Sequence, residues 1–212
     1  MNTGIQDAYN LAWKLALTIR GELNHSVLAS YEAERHENAE HLLKTTDKMF
    51  DIMAGVNRFW NFVRLHIIPH VARFVSKNAV LNKRIFPLLS QIGIAYPNSP
   101  LTIKSSLGRV NAGSLMPYFE LPGGVNIFDL LTSPAFKILF FGNPGNNRII
   151  EVEYASGIIR HSFPDIPKKL FGAATDFYIL LRPDNHISYI GKDANGCRIF
   201  LDKITSKNYI SS

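Results

Sequence analysis

The amino-acid sequence offers few groups able to do chemistry, and the first of them is backbone rather than side chain. In Met1-Asn2-Thr3-Gly4-Ile5-Gln6-Asp7-Ala8, Asn2 or Thr3 can cap a helix and Asp7 lies near its positive end. Ile5, Ala8, Ala12, Leu15 and Ile19 then recur at intervals of three and four, so the segment reads as an amphipathic helix with one apolar stripe, stopped by Gly21. The unpaired N–H groups of such a helix start can hold an anion, or a carbonyl oxygen that gains negative charge during a reaction. An ordinary capped helix satisfies the same spacing, so the pattern alone leaves both readings open.

Reactive side chains are sparse. Cys197 is the single cysteine, which excludes an internal disulfide and Cys-x-x-Cys chemistry, and it reads as a small apolar core residue. His66 and His70 have the i,i+4 spacing of a metal pair, but Pro69 lies between them and no third ligand is evident. No metal site and no catalytic side chain is assigned. Gly142-Asn143-Pro144-Gly145 carries a proline where a phosphate-cradling loop would offer an N–H, and reads as a turn. A G-x-G-x-x-G run after a strand, with an acidic residue about 20 positions further on, is absent.

The elements that position these groups follow from composition and period. With 212 residues, 46% hydrophobic and 11% aromatic, the chain can fill one large or two small cores. No stretch approaches the roughly 18 uninterrupted apolar residues of a membrane span, and the N-terminal segment is no signal peptide, so a cytoplasmic location is expected. A break in composition near residues 95–100, rich in turn formers, divides the chain into 1–98, helical, and 99–212, mixed.

In the first part, Ser26 can cap a second helix. Glu32, Glu34, Glu37 and Glu40 crowd its first half and Lys44 and Lys48 follow, the order the macrodipole favours, and the helix is expected to run to about Met53. Arg35 reads as an ion-pair partner. Between Asp51 and Glu120 there is no acidic residue, whereas Arg58, Arg64, Arg73, Lys77, Lys83, Arg84, Lys104 and Arg109 supply eight positive charges. Within this stretch Val56, Phe59, Trp60, Val63, Ile67, Val71, Phe74 and Val75 return at helical spacing, interrupted by Pro69, which predicts a kinked amphipathic helix. Such a helix can pack against protein, lie on an anionic membrane or face nucleic acid. Packing in a core or against a second subunit is the preferred reading, peripheral membrane contact the second. Nucleic acid ranks last because no binding module accompanies the charge.

In the second part, Lys137–Phe141 reads as a strand, Asn147–Ser156 as a helix in which Ile149–Tyr154 would equally suit a strand, and Ile158–Phe163 as a strand. Pro167–Gly172 suggests a short helix. Phe177–Leu181 and His186–Ile190 then flank the turn Arg182-Pro183-Asp184-Asn185, and a last helix starts near Asp193, burying Cys197, Phe200, Leu201 and Ile204. The order β-α-β-α-β-β-α is that of a thioredoxin-like domain, so the fold class is α+β or α/β, a helical segment followed by a mixed sheet with flanking helices. A dithiol and a proline facing it are missing: Phe141-Gly142-Asn143-Pro144 and Thr175-Asp176 stand in those places. Thiol redox chemistry is therefore excluded.

Six stretches together resemble one family. They are Met1 to Ala16, Tyr31-Glu32-Ala33-Glu34-Arg35, Tyr96 to Leu101, Gly108-Arg109-Val110-Asn111-Ala112-Gly113, Ile127-Phe128-Asp129-Leu130-Leu131, and Leu181-Arg182-Pro183-Asp184. The chain resembles the C-terminal part of FAD-dependent aromatic-ring monooxygenases of the para-hydroxybenzoate hydroxylase-like family, with their C-terminal thioredoxin-like module. The resemblance implies an oxidoreductase that hydroxylates an aromatic substrate with FAD, NAD(P)H and oxygen. It places the backbone of Met1 and Asn2, with Thr3 and Gly4 adjacent, at the N1/C2-carbonyl edge of the flavin. The family's dinucleotide-binding and substrate elements precede this segment, so the 212 residues alone are expected to be inactive and unable to hold FAD. Self-association through the helical half is expected. The alternative is a non-catalytic thioredoxin-like interaction module.

Overall fold

The computed structural model describes residues 2–54, 58–78, 94–121, 123–143, 158–164, 168–172 and 175–205. Two compact units emerge: Met1–Glu34 with Ala95–Ser212, and Arg35–Ile94.

The first unit begins with α1 (Asn2–Ile19). It ends at Gly21, whose φ of 74° is left-handed. The Gly21 N–H donates to the Thr18 carbonyl at 3.0 Å and the Glu22 N–H to the Leu17 carbonyl at 3.0 Å, closing the helix in a Schellman motif. α2 runs Ser26–Ala54, close to the extent that its capping serine and charge order predict.

The sheet follows from strands that carry almost no polar alternation. β1 (Ser106–Leu107) and β2 (Val110–Asn111) form a small antiparallel pair. The main sheet holds β3 (Phe136–Phe141), β4 (Ile158–Phe163), β5 (Phe177–Leu181) and β6 (Ile187–Gly191), in the order β4-β3-β5-β6. β3 pairs in parallel with β4 and antiparallel with β5, and β5 antiparallel with β6. Every residue of β3 and β5 is buried because the sheet is covered on both faces. Short helices α5 (Ile127–Leu130) and α6 (Lys168–Phe171) join α7 (Asn195–Ile204) around it. The mixture of helices with a mixed sheet is an α+β fold, as the sequence predicts. The expected helix Asn147–Ser156, with its doubtful Ile149–Tyr154, lies outside the described residues.

The two sheet faces bury separate cores. Phe136, Ile138, Phe140, Tyr178 and Leu180 meet Cys197, Phe200, Leu201 and Ile204 of α7 on one face, and there Trp13, Leu17, Leu23 and Val27 join them. Leu139, Phe141, Phe177, Ile179 and Leu181 form the other core with Met116, Ile127, Leu131 and Phe171. Cys197 is thus the small core residue its context suggests, and burial pushes its thiol up to about 12.

Turn chemistry fixes the β5–β6 hairpin. Asn185 takes a left-handed φ of 61°, its N–H donates to the Arg182 carbonyl at 2.9 Å, and its side chain accepts from Lys137 Nζ at 2.9 Å. Two glycines are needed for close approach. A Cβ on Gly113 would lie 2.7 Å from the Tyr96 carbonyl, and one on Gly108 would collide with the Phe171 carbonyl.

One expectation is inverted. The stripe Ile5, Ala8, Ala12, Leu15 and Ile19 faces outward, with Ile5 65% and Ile19 81% exposed. The buried face of α1 is instead Asn10, Trp13, Lys14, Leu17 and Thr18, which has the same three-and-four spacing. Periodicity counts only apolar residues, and this face carries a lysine and an asparagine whose side-chain nitrogens both donate to Glu34 inside.

The second unit contains most of α2, then α3 (Arg58–Phe62), a π-helical segment Val63–Ile67 and α4 (Ile68–Lys77). The Ile68 N–H reaches back five residues to the Val63 carbonyl. This widening directly precedes Pro69, which lacks an N–H for the Leu65 carbonyl, so the kink predicted at Pro69 is absorbed as a π-bulge. No helix among the described residues is long and apolar enough to cross a membrane.

Candidate functional site

The sequence places the candidate flavin contact at Met1, Asn2, Thr3 and Gly4. Met1 lies outside the described residues; Asn2, Thr3 and Gly4 form the first turn of α1. Gly4 is exposed, and a Cβ built on it would meet nothing within 4 Å. A helix start leaves its first N–H groups without intrahelical partners, so the turn presents donors toward an open side.

About three turns further along α1, the chain builds a buried cluster of charges that spacing did not reveal. Arg182, 1% exposed, is its centre. Its Nη1 and Nη2 donate to Glu34 Oε1 at 2.5 Å and Oε2 at 3.1 Å, while Nε and Nη2 donate to Asp184 Oδ1 at 3.0 Å and Oδ2 at 2.5 Å. One guanidinium thus serves two carboxylates as a double fork, a geometry lysine cannot reproduce. The rings of Trp13 and Tyr96 lie 5.4 and 5.2 Å from its Cζ.

Each carboxylate has further donors. Glu34 accepts from Lys14 Nζ at 2.9 Å, Asn10 Nδ2 at 2.8 Å and Ser99 Oγ at 2.5 Å. Asp184 accepts from Trp13 Nε1 at 3.0 Å and from the His186 N–H at 3.3 Å. Burial alone would raise both acids, but the Arg182 charge outweighs it, holding Glu34 at about 2 and Asp184 well below the usual carboxylate range. Lys14 moves the other way from an ordinary ion-pair lysine, down from 10.5 to about 8. Burial is the main cause. Glu34 opposes it, but Arg182 already occupies both Glu34 oxygens and repels the ammonium. Lys137, which reaches the same turn through Asn185, falls to about 8 by burial.

Balanced in charge, with each charged group paired and closed to solvent, the cluster has no side on which a substrate could sit. It is a joint. It draws on four of the motif stretches noted in the sequence, Met1 to Ala16, Tyr31 to Arg35, Tyr96 to Leu101 and Leu181 to Asp184, and the buried ionic partner in the second is Glu34. The available signal was phase: Lys14 and Glu34 each fall on the buried face of an amphipathic helix, in step with Trp13 and Leu17 or with Val27 and Ser30. His66 and His70 stay local. The His70 ring contacts the His66 carbonyl at 2.8 Å and the His66 ring stacks on Phe62, and no group of three metal-ligating side chains forms among the described residues.

Comparisons with known proteins bear on the same segments. The family model described as an FAD binding domain matches residues 1–46, which covers α1 and much of α2. The chain is 29% identical, over 91% of its length and 38% of the relative's, to 6-methylpretetramide 4-monooxygenase of Streptomyces rimosus. It is 31% identical, over 66% of its length and 25% of the relative's, to 3-(3-hydroxy-phenyl)propionate/3-hydroxycinnamic acid hydroxylase 2 of Burkholderia vietnamiensis. Among solved structures, BexE, studied for oxidation during BE-7585A biosynthesis, matches with a TM-score of 0.65 at 24% identity over all of this chain and 41% of its own. CabE, an aromatic hydroxylase from angucycline biosynthesis, matches with a TM-score of 0.58 at 19% identity over 94% of this chain and 39% of its own. The chain therefore spans about two fifths or less of the proteins it matches. An FAD-binding match on the helix whose first turn lies open, and monooxygenase and hydroxylase relatives, point the same way: the chain is similar to part of the FAD-dependent aromatic-ring monooxygenases.

Proposed function

We propose that these 212 residues are part of a flavoprotein that hydroxylates an aromatic small molecule with FAD, NAD(P)H and oxygen. The observation that carries this reading is the FAD-binding match over residues 1–46, falling on a helix whose first turn is open at Gly4. The residues present fit one edge of the cofactor. The donors there are backbone N–H groups at a positive helix end, which suit a carbonyl oxygen gaining negative charge, and Gly4 leaves room for a flat ring to approach. Met1 and Asn2 would offer the N–H groups, with Thr3 and Gly4 beside them. When bound, FAD would supply electron transfer from NAD(P)H and oxygen activation. The chain's own part is to hold the carbonyl edge and to stabilise the charge that collects on it.

One edge does not enclose a flavin. The purified chain is therefore expected to be colourless and not to oxidise NADH or NADPH, which a titration with FAD followed by flavin fluorescence tests. Joining the upstream region of a full-length relative to Met1 should give a yellow protein. In that chimera Asn2→Pro removes one donor and costs about 2–4 kcal/mol of flavin-anion stabilisation. A yellow chimera whose reduction by NAD(P)H is indifferent to Asn2→Pro would remove the helix start from the site.

The division into 1–98 and 99–212 enters this proposal as one of ancestry, the monooxygenase body followed by a thioredoxin-like module. The β4-β3-β5-β6 order, one parallel and two antiparallel pairings, supports it. Self-association is proposed through the helical half, where Phe59, Phe62, Leu65 and Phe74 are exposed in this chain. A cytoplasmic location is part of the proposal.

A further inference from the structure

The buried cluster joins stretches that are remote in sequence, Glu34 and Arg182 being 148 residues apart. Its geometry acts on α1 in particular. Trp13 is gripped through its Nε1–H by Asp184 and through its ring by the Arg182 guanidinium, while Asn10 and Lys14, on neighbouring turns, are both held by Glu34. Tyr9 adds an O–H donated to the Pro183 carbonyl at 3.2 Å. Contacts on four residues spanning more than one turn fix both the rotation of the helix about its axis and its position along it. An α-helix carries that setting forward as a rod, and Asn2 lies only roughly 16 Å of helix before Trp13.

We infer that Arg182, Asp184 and Glu34 are positioning residues for the first turn of α1: the sheet sets the donors of Asn2 to Gly4 through a guanidinium fork. That this turn faces a flavin rests on the function proposed above; that the fork sets its place does not. The cluster is built for position rather than for net attraction, because a buried ion network recovers little more than its desolvation cost, whereas its directional bonds admit one arrangement. The rings of Trp13 and Tyr96 lie against the guanidinium and add to that restraint.

The test uses the 212-residue chain with spin labels at Ile5→Cys and Ile199→Cys, two positions that are 65% and 64% exposed. Native Cys197 is buried and its thiol is pushed up to about 12, so it escapes labelling. Distance distributions from electron double resonance are recorded with amide hydrogen exchange for Trp13→Phe, which keeps every charge and removes one donor, and for Arg182→Lys, which keeps the charge and removes the fork. Both should broaden the 5–199 distribution and speed exchange along α1 by about tenfold or more, the loss of a hydrogen bond to a buried charge, while β3 and β5 amides stay protected. If Arg182→Lys also unfolds the sheet, Trp13→Phe decides. A distribution that stays narrow in Trp13→Phe, or that lysine keeps narrow at 182, overturns the inference. Failure of the flavin reading would look different: a colourless chimera with the distance distribution unchanged.

Discussion

Around Arg182, two cations and two carboxylates lie buried with every charge paired, whereas along Arg58–Lys77 cations and aromatic side chains face outward together, Leu65 being 70% and Phe74 63% exposed. The first region has a balanced set of charges and the second an unbroken run of positive ones, and the sequence makes the second far more conspicuous. The comparison teaches that a run of like charge marks a surface, while charges that organise an interior are scattered and opposite in sign. What identifies them is their phase within a helix.

The sharpest way to break the comparison is to remove one charge from each region. Glu34→Ala leaves Arg182 and Lys14 buried without their shared carboxylate and should cost about 3–5 kcal/mol in chemical denaturation, whereas Arg64→Ala should change stability by less than about 0.5 kcal/mol. Equal effects would mean the cluster is not desolvated. Deleting residues 1–34 should go further still, since Trp13, Leu17, Leu23 and Val27 belong to one sheet core; the remaining residues 35–212 are expected to fail to fold, as read by loss of the cooperative thermal transition.

Acidity sharpens the same contrast. Glu34 is held at about 2 against an ordinary 4.5, so its stabilisation is complete above 4.5 and drains away as pH falls toward 2, with Asp184 acting in the same direction. Lys14 and Lys137, at about 8 against 10.5, give the opposite limb. The folded chain sheds their protons before the unfolded chain does, so stability rises between about pH 8 and 10.5. Urea unfolding across this range checks both limbs, and Lys14→Met should flatten the alkaline one.

The exposed region has its own test. Replacing Phe59, Leu65 and Phe74 together by serine should abolish self-association in light scattering while leaving the melting temperature within a few degrees, because surface substitutions rarely exceed about 0.5 kcal/mol each. The smallest effect concerns Cys197. Its buried thiol should resist alkylation at pH 8 until the chain is unfolded, since the thiolate is the reactive form.

Local chemistry made much of the fold legible. Phe177–Leu181 matches the observed strand because an apolar run bounded by turn formers has few alternatives, Ile158–Phe163 matches with apolar residues at its two ends, and Arg182 to Asn185 forms the predicted turn because proline and a left-handed asparagine specify it. The α1 stripe misled, since both helix faces carry apolar residues and only tertiary pairing shows which is inside. The cluster was illegible for a related reason: no local rule links Glu34 to Arg182 across 148 residues. The first turn, by contrast, is proposed through resemblance, because backbone donors leave no side-chain signature.

Gly113 shows what such joints do to experiments that read only tolerance. Its missing side chain admits the Tyr96 carbonyl, its φ of 89° excludes most L-residues, and its N–H and carbonyl bond Ile187 and Tyr96. A saturation scan scored by growth would therefore rank Gly113 beside genuine reaction-site positions on backbone packing alone, and Gly108 would follow it. In this chain, intolerance alone would draw the map of an active site where there is only a hinge-pin.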